Sequence, residues 1–250
     1  IVACGGQVLV GKKVKEIMIK NNKVYGVKME NRDIIYCDNI ISGVGLRNTF
    51  DDLAKIETPN LYRNILNKID VSVQHIYCFV KINGSPRELN LRSSNFWIYP
   101  HGNYDQMMNN FLEDPLNAPV PLFMGFSCMK DTQWSDKYPN VSNAILITAG
   151  KKEWFEAWED EKCMKRGNDY DDLKNNIAER MMEDGLYRFY PELRDKGISF
   201  TPATPLTTQF YLNAAQGESY GLDVNKYRLL DCHYLKPKTT IKGLFLTGQD

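Results

Sequence analysis

The amino-acid sequence predicts a mixed α/β (α+β) chain organised as two intertwined domains. Three observations carry this expectation. Segments with strand-like and helix-like patterning follow one another without a regular βαβ rhythm, which argues against one doubly wound sheet. The opening residues are a strand-rich meander, whereas the strongest helical periodicity comes much later, around residues 169–189. The 250 residues are 43% hydrophobic and 25% charged, enough apolar mass for one large core or two smaller ones.

Read in order, Gln7–Val10 is a short apolar strand and Val14–Lys20 an alternating one. The polar turn Lys20-Asn21-Asn22-Lys23 leads into a strand at Val24–Met29. Ile34–Tyr36 returns, and Ile40-Ile41 is a short apolar strand ended by Gly43 and Gly45. Arg47–Lys68 has helical composition broken at Pro59. Ile76–Ile82 is β-branched and aromatic, closed by the turn signal Asn83-Gly84-Ser85-Pro86, and Phe96–Tyr99 is a strand stopped by Pro100. Tyr104–Leu112 predicts a helix. Leu122–Cys128 and Ala144–Ala149 predict strands either side of a polar loop carrying Pro139. Lys152–Cys163 predicts a helix bearing Trp154, Phe155 and Trp158. Asp169 is a good N-cap for the longest helix, whose apolar positions are Leu173, Ile177, Met181, Leu186 and Phe189, with Pro191 as its stop. Thr207–Leu212 alternates as a strand would, and Gly243–Thr247 is an apolar strand ending at Gly248.

Composition narrows the function. With 31 basic and 31 acidic residues the formal charge is zero, and the electrostatic footprint of a nucleic-acid binder is missing. Cys4, Cys37, Cys78, Cys128, Cys163 and Cys232 are dispersed with no C-x-x-C, which reads as free thiols rather than a disulfide scaffold or zinc ribbon. His75, His101 and His233 include no pair at metal-ligand spacing, so no metal site is expected. No apolar run approaches the ~20 residues of a membrane helix. The sequence starts at Ile1 rather than Met and stops in a turn just after a strand, so it reads as a piece of a longer protein.

Few motifs carry chemistry by themselves. Gly43-Val44-Gly45 lies between a strand and a helix like the first half of a dinucleotide fingerprint, but Asn48 stands where the third glycine belongs. A plain strand-to-helix turn is the favoured reading and a pyrophosphate loop the other. Asn83-Gly84-Ser85 and Asn140-Val141-Ser142 match glycosylation sequons, which matter only in a secretory lumen. Trp154, Phe155 and Trp158 are read as core or interface before cofactor box. Gly248-Gln249-Asp250 comes directly after a strand, and in an open α/β sheet ligands sit at the carboxyl ends of strands.

Taken together, Glu153-Trp154-Phe155-Glu156-Ala157-Trp158, Lys165-Arg166-Gly167-Asn168-Asp169-Tyr170 and Thr204–Leu212 (P-L-T-T-Q-F-Y-L after the threonine) resemble one family. Gly217-Glu218-Ser219-Tyr220-Gly221-Leu222-Asp223 and Leu244-Phe245-Leu246-Thr247-Gly248-Gln249-Asp250 complete the set. The resemblance is to the retinol saturase branch of the carotenoid isomerase and phytoene desaturase group of flavoproteins, and it runs in order along nearly the whole chain. It implies a two-domain fold like that of the flavin amine oxidases, with a discontinuous FAD domain whose N-terminal Rossmann unit would precede Ile1. On that reading residues 1–47 are an FAD-domain segment, 48–240 a mixed-sheet substrate domain with helices, and 241–250 the final FAD-domain strand and the start of the last FAD motif.

The same resemblance implies FAD as cofactor, with NAD or NADP as a conceivable source of electrons. It places Val14 where a backbone pair holds the adenine, and Gly248, Gln249 and Asp250 against the ribityl and pyrophosphate groups. It implies reduction of a C=C bond in a retinoid polyene, all-trans-retinol to all-trans-13,14-dihydroretinol. Alternatives are a carotenoid cis–trans isomerase or desaturase on the same fold and a non-catalytic retinoid or lipid carrier. The implied partner is a retinoid or carotenoid. Association with the endoplasmic reticulum membrane is implied through parts outside this sequence. Such a reduction needs a proton source, for which Tyr211 and Tyr220 are candidates, with purely structural roles as the other reading.

Overall fold

The computed structural model describes residues 1–55, 57–231 and 235–250. The chain divides into two compact units, one formed by residues 1–72 with 220–250 and the other by 73–219. The boundaries expected at 47/48 and 240/241 both fall inside unit one. The reason is packing: Tyr62, Ile65 and Leu66 share a core with Ile17, Val24 and Leu46 from before them, and with Leu222, Ile241 and Leu244 from the returning segment.

Unit one opens with an exposed stretch. Gln7–Val10, expected as a strand, has no strand partner among the described residues, and its apolar side chains are exposed. The antiparallel meander comes next as Val14–Lys20 (β1), Lys23–Met29 (β2) and Ile34–Tyr36 (β3), in the order β1-β2-β3. Its first turn is tight because Asn21 and Asn22 both take positive φ, 51° and 57°, the conformation that matches the twist of a two-residue hairpin and that asparagine tolerates. Ile40–Ser42 (β4) starts a separate sheet. The region expected to be helical breaks as Pro59 demands: a wide helical turn at Asn48–Leu53 precedes a helix at Asn60–Leu66, with Pro59 extended at ψ 144° as its N-cap.

Unit two is built on a five-stranded sheet. Its strands are Gln74–Asn83 (β5), Phe96–Ile98 (β6), Leu122–Gly125 (β7), Val141–Gly150 (β8) and Ile198–Ala203 (β9), in the order β6-β7-β8-β5-β9. All four neighbouring pairs are antiparallel. One face packs Ile76, Cys78, Val80, Ile82, Met124 and Leu146 into a core completed by Phe111, Phe155, Ile177 and Met181 from the helical segments. Burial pushes the Cys78 thiol up to about 12, so it stays protonated and behaves as an apolar group. Cys4, Cys37, Cys128 and Cys163 are free thiols too; Cys232 and His233 lie outside the described residues.

Several helical expectations are corrected. Thr207–Leu212 is no strand: Pro205–Leu212 is a helix, with Pro205 in its first turn and the Thr204 and Thr207 side chains forming a reciprocal capping box. A strong start signal just upstream outweighs six residues of alternation. Gly167, at φ 82° and ψ 176°, replaces Asp169 as the N-cap of the helix Asn168–Met181. Asp169 and Asp171 lie in its first turn instead, where negative charge suits the helix dipole. That helix runs on through a wide turn at Met182–Leu186 to Tyr187–Phe189, and Pro191 lies just past its end as expected. The segment from Lys152 is a 3-10 helix that ends at Trp158, and the strand from Leu122 stops at Gly125. Strand β9 and the helix Lys226–Asp231 had no clear signal in the sequence.

The chain then returns to unit one, where Leu244–Leu246 (β10) lies parallel to β4. Lys242 exchanges backbone hydrogen bonds with the β1–β2 hairpin: Val24 N–H donates to its carbonyl at 3.0 Å, and its own N–H donates to the Asn22 carbonyl at 2.9 Å. Contacts between residues some 220 positions apart in sequence therefore close this unit. Among the described residues, no helix is long and apolar enough to cross a membrane.

Candidate functional site

The carboxyl ends of β4 and β10 meet because the two strands are parallel and in register, Ile40 with Leu244 and Ser42 with Leu246. Thr247 N–H continues the ladder to the Ser42 carbonyl at 2.9 Å. Both chains then turn away through glycines, at Gly43-Val44-Gly45 and at Gly248. A cavity of about 230 Å³ opens at this end, lined by Gly45, Leu46, Leu246, Thr247, Gly248 and Asp250 among others. Lys236 supplies a cation to the same wall. Gly248 has φ 121°, a conformation for glycine alone, and no atom lies within 4 Å of where its Cβ would be. The backbone there is bare, as a surface must be where a ligand approaches the main chain.

Asp250 holds this turn together. Its Oδ2 accepts the Leu46 backbone N–H at 2.6 Å and its Oδ1 the Leu222 N–H at 2.7 Å. A Cβ on Gly221 would stand 1.9 Å from Oδ1, so that glycine is what lets the carboxylate reach both amides. Arg228 completes the arrangement by donating to the Leu222 carbonyl and, at 2.8 Å, to the Gln249 carbonyl. The Asp250 carboxylate is thus spent on the protein's own backbone and sits on the amide that a pyrophosphate oxygen would use at the start of a dinucleotide-type helix. The Gly45 carbonyl accepts from Thr49 N–H at 3.1 Å and from Thr49 Oγ1 at 2.6 Å, the bonding of a strand-to-helix turn.

Of the residues singled out from the sequence, Gly248, Gln249 and Asp250 come together here. Val14 lies elsewhere in unit one, at the start of the edge strand β1 opposite Met29. It neighbours a second cavity, of about 310 Å³, lined by Gly11, Lys12, Lys13, Met29, Glu30 and Asn31. Tyr220 belongs to unit one, is 57% exposed, and its N–H donates to Ser72 Oγ at 2.9 Å. Tyr211 belongs to unit two, at the exposed end of the helix Pro205–Leu212. Sequence reasoning missed Gly221, Leu222 and Arg228. The motif Gly217–Asp223 flagged the neighbourhood, but only the fold brings Gly221 against Asp250.

Unit two offers a different surface. On the sheet face opposite its core, one row of residues crosses all five strands in register: Trp97, Phe123, Ile147, Tyr77 and Ala203. Phe79 and Ile145 form part of the next row. Trp97 is 66% and Phe79 50% exposed, two large apolar groups open on the same face of one sheet. Trp97 packs edge-on to Phe123 with centroids 5.0 Å apart, and Tyr77 stacks on Phe79 at 6.2 Å. At the start of β5 this face carries a polar group: Tyr77 donates to Ser219 Oγ at 2.9 Å, and Ser219 Oγ lies 2.8 Å from His75 Nδ1.

Burial holds the His75 imidazole below its ordinary value near 6.5. The neutral ring therefore dominates at neutral pH, and its Nδ1 shares one hydrogen bond with the Ser219 hydroxyl. The unfolded chain binds a proton at pH values where the folded chain does not, so the stabilisation present above the ordinary histidine range is lost as pH falls through the folded value. Urea midpoints at about pH 7.5 and about pH 5.5 are expected to differ in the wild type and to converge in His75→Gln. An unchanged gap in the variant would assign the effect to other groups.

No family model matches the chain. Among curated relatives, the human "All-trans-retinol 13,14-reductase" is 33% identical over 258 aligned residues, covering 98% of this chain. The zebrafish "Inactive all-trans-retinol 13,14-reductase" is 27% identical, again covering 98% of this chain. The chain spans 42% of the length of each. Among solved structures, putrescine oxidase bound to putrescine superposes with a TM-score of 0.58 at 9% identity, covering 99% of this chain and 44% of that one. The likeness in fold thus extends along the whole chain while the sequence identity to that oxidase is low.

Proposed function

We propose that this chain, a homologue of the all-trans-retinol 13,14-reductases along nearly its whole length, is part of an FAD-dependent oxidoreductase that reduces a C=C bond of a retinoid. The observation that carries the proposal is the second face of the unit-two sheet. Its open part, from Trp97 to Tyr77, crosses four strands, or three spacings of about 4.8 Å, close to 14 Å of apolar surface that ends beside the buried Ala203. A rigid conjugated chain lies flat on such a surface and buries its length without bending. Flat aromatic and branched side chains exclude water from it and fix its direction.

The turn at Gly248 fits a bound dinucleotide cofactor, because its backbone is open, lies at the carboxyl end of parallel strands and has Lys236 on the adjoining wall. In this reading Gly248 and Gln249 hold the ribityl and pyrophosphate region through their backbone, while Asp250 shapes the turn. Val14 contributes its strand edge to the adenine. FAD, when reduced, supplies the hydride for the C=C bond. The accompanying proton comes from a protein group, and Tyr211 and Tyr220 stay in the proposal as candidates for it. Endoplasmic reticulum membrane association belongs to the same proposal, since retinoids partition into bilayers.

The test uses the flavin-loaded full-length protein, all-trans-retinol, and either NADPH or dithionite as reductant, with products identified by chromatography and mass spectrometry. A product heavier than retinol by one hydrogen molecule is expected. An isomer of unchanged mass, a product lighter by the same amount, or stoichiometric binding without turnover would replace the reductase with an isomerase, a desaturase or a carrier. The relative named inactive gives the last outcome a specific motive.

A further inference from the structure

The cluster of His75, Tyr77 and Ser219 stands out on the apolar face because nothing in the fold requires it. The positions directly opposite on β8, Ala149 and Ile147, are apolar, and the next side chain along this face of β5 is Phe79. Ser219 reaches the cluster from the end of unit two, and its N–H donates to the Val73 carbonyl at 3.0 Å, which fixes its position against β5. Gln74 and Glu218 form a bridge beside it. The three groups are therefore locked in place by backbone hydrogen bonding on both sides.

The donors and acceptors leave one capacity unspent. Ser219 Oγ accepts the Tyr77 proton and shares a second hydrogen bond, of 2.8 Å, with His75 Nδ1. The Tyr77 oxygen, having given up its only proton to Ser219, keeps lone pairs that accept and has nothing left to donate. An apolar surface ending in an acceptor of this kind distinguishes a ligand with a terminal O–H donor from one without.

We infer that the Tyr77 hydroxyl, oriented by Ser219 and His75, accepts the terminal O–H of a polyene alcohol and makes the site selective for alcohols over esters and hydrocarbons of equal length. The inference rests on the retinoid reading above and adds what that reading leaves open, the recognition of the polar end. An alcohol laid along the row satisfies its hydroxyl at the cluster. An ester brings only acceptors there and leaves Tyr77 facing another oxygen, and a hydrocarbon leaves the acceptor dry and unpaired. Ser219 and His75 act through Tyr77 and are positioning residues.

The experiment compares kcat/KM for all-trans-retinol, retinyl acetate and a hydrocarbon polyene of the same length, using flavin-loaded full-length protein. Wild type is expected to favour the alcohol by about 10- to 100-fold, a partly exposed version of hydroxyl selection. Tyr77→Phe, which keeps the ring on Phe79, is expected to raise KM for retinol about tenfold and, by removing the unpaired oxygen, to raise kcat/KM for the acetate and the hydrocarbon, so that the preference for the alcohol is lost. Ser219→Ala frees the Tyr77 proton and is expected to restore part of the turnover of the acetate. Equal wild-type kcat/KM for alcohol and acetate, or a loss in Tyr77→Phe that is the same for all three substrates, overturns the anchor. If wild type reduces none of the three, the reductase reading itself has failed, and that result is separable from the first two.

Discussion

Replacing Asp250 by alanine is expected to lower the stability of unit one by about 2–4 kcal/mol, the loss of two hydrogen bonds from backbone amides to a charged acceptor. Both amides, Leu46 and Leu222, would be left without their partner, and they belong to segments some 175 residues apart in sequence. The effect should therefore be local in space but shared between distant stretches. Amide hydrogen exchange reads it directly: protection at Leu46 and Leu222 should fall together, while the unit-two core around Leu146 keeps its own. Gly221→Ala tests the same geometry from the other side. At φ 67° an alanine is strained, and its Cβ would have to displace the carboxylate 1.9 Å away. The two variants should give matching exchange patterns. If Asp250→Ala retains protection at both amides and unfolds in urea where wild type does, the carboxylate does not organise this turn.

A charge on the open sheet face is expected to weaken polyene binding strongly without unfolding the protein. Ile147→Lys places an ammonium in the middle of the apolar row, between Phe123 and Tyr77. Desolvating it under a hydrocarbon costs more than the contact returns, so affinity for retinol should drop about 100-fold, close to 3 kcal/mol. Ile147 is only half buried, and a lysine there can swing to solvent in the free protein, so stability should change by less than about 1 kcal/mol. Leu146→Asp, one residue away, is the control. Leu146 is 0% exposed and points into the opposite face, so an aspartate there should unfold the unit. Retinol titration followed by quenching of tryptophan fluorescence, to which Trp97 on the same row contributes, measures the first effect. Undiminished retinol affinity in Ile147→Lys would show that the ligand lies elsewhere.

The contrast between Ile147 and Leu146 shows how much of the site was legible beforehand. The run Ala144–Ala149 declares a strand, and its lack of polar alternation says that both faces are apolar. It does not say which face meets the core. That was decided by the helical segments that supply Phe111, Phe155 and Ile177, which cover Leu146 and leave Ile147 half open. The polar cluster was invisible for a related reason. His75 and Tyr77 carry no motif, the segment Gly217–Asp223 gives Ser219 no role of its own, and their hydrogen bonds join positions 142 and 144 residues apart.

Local chemistry was decisive wherever a signal acted over a few residues. The meander, the Asn21-Asn22 turn, the break at Pro59 and the resemblance of the closing Leu244–Asp250 segment all belong to the sequence alone, because φ preferences and short apolar periods operate within one turn or strand. Thr207–Leu212 shows the boundary of such reasoning: a six-residue alternation yielded to the Thr204-Pro205 start signal beside it. Tertiary structure alone decided how distant pieces join. Asp250 closes on Leu46 and Leu222, and residues 48–72 pack in unit one rather than with residues 73–219. Burial of a shared core and satisfaction of buried amides are properties of the assembled chain, so no window of sequence contains them.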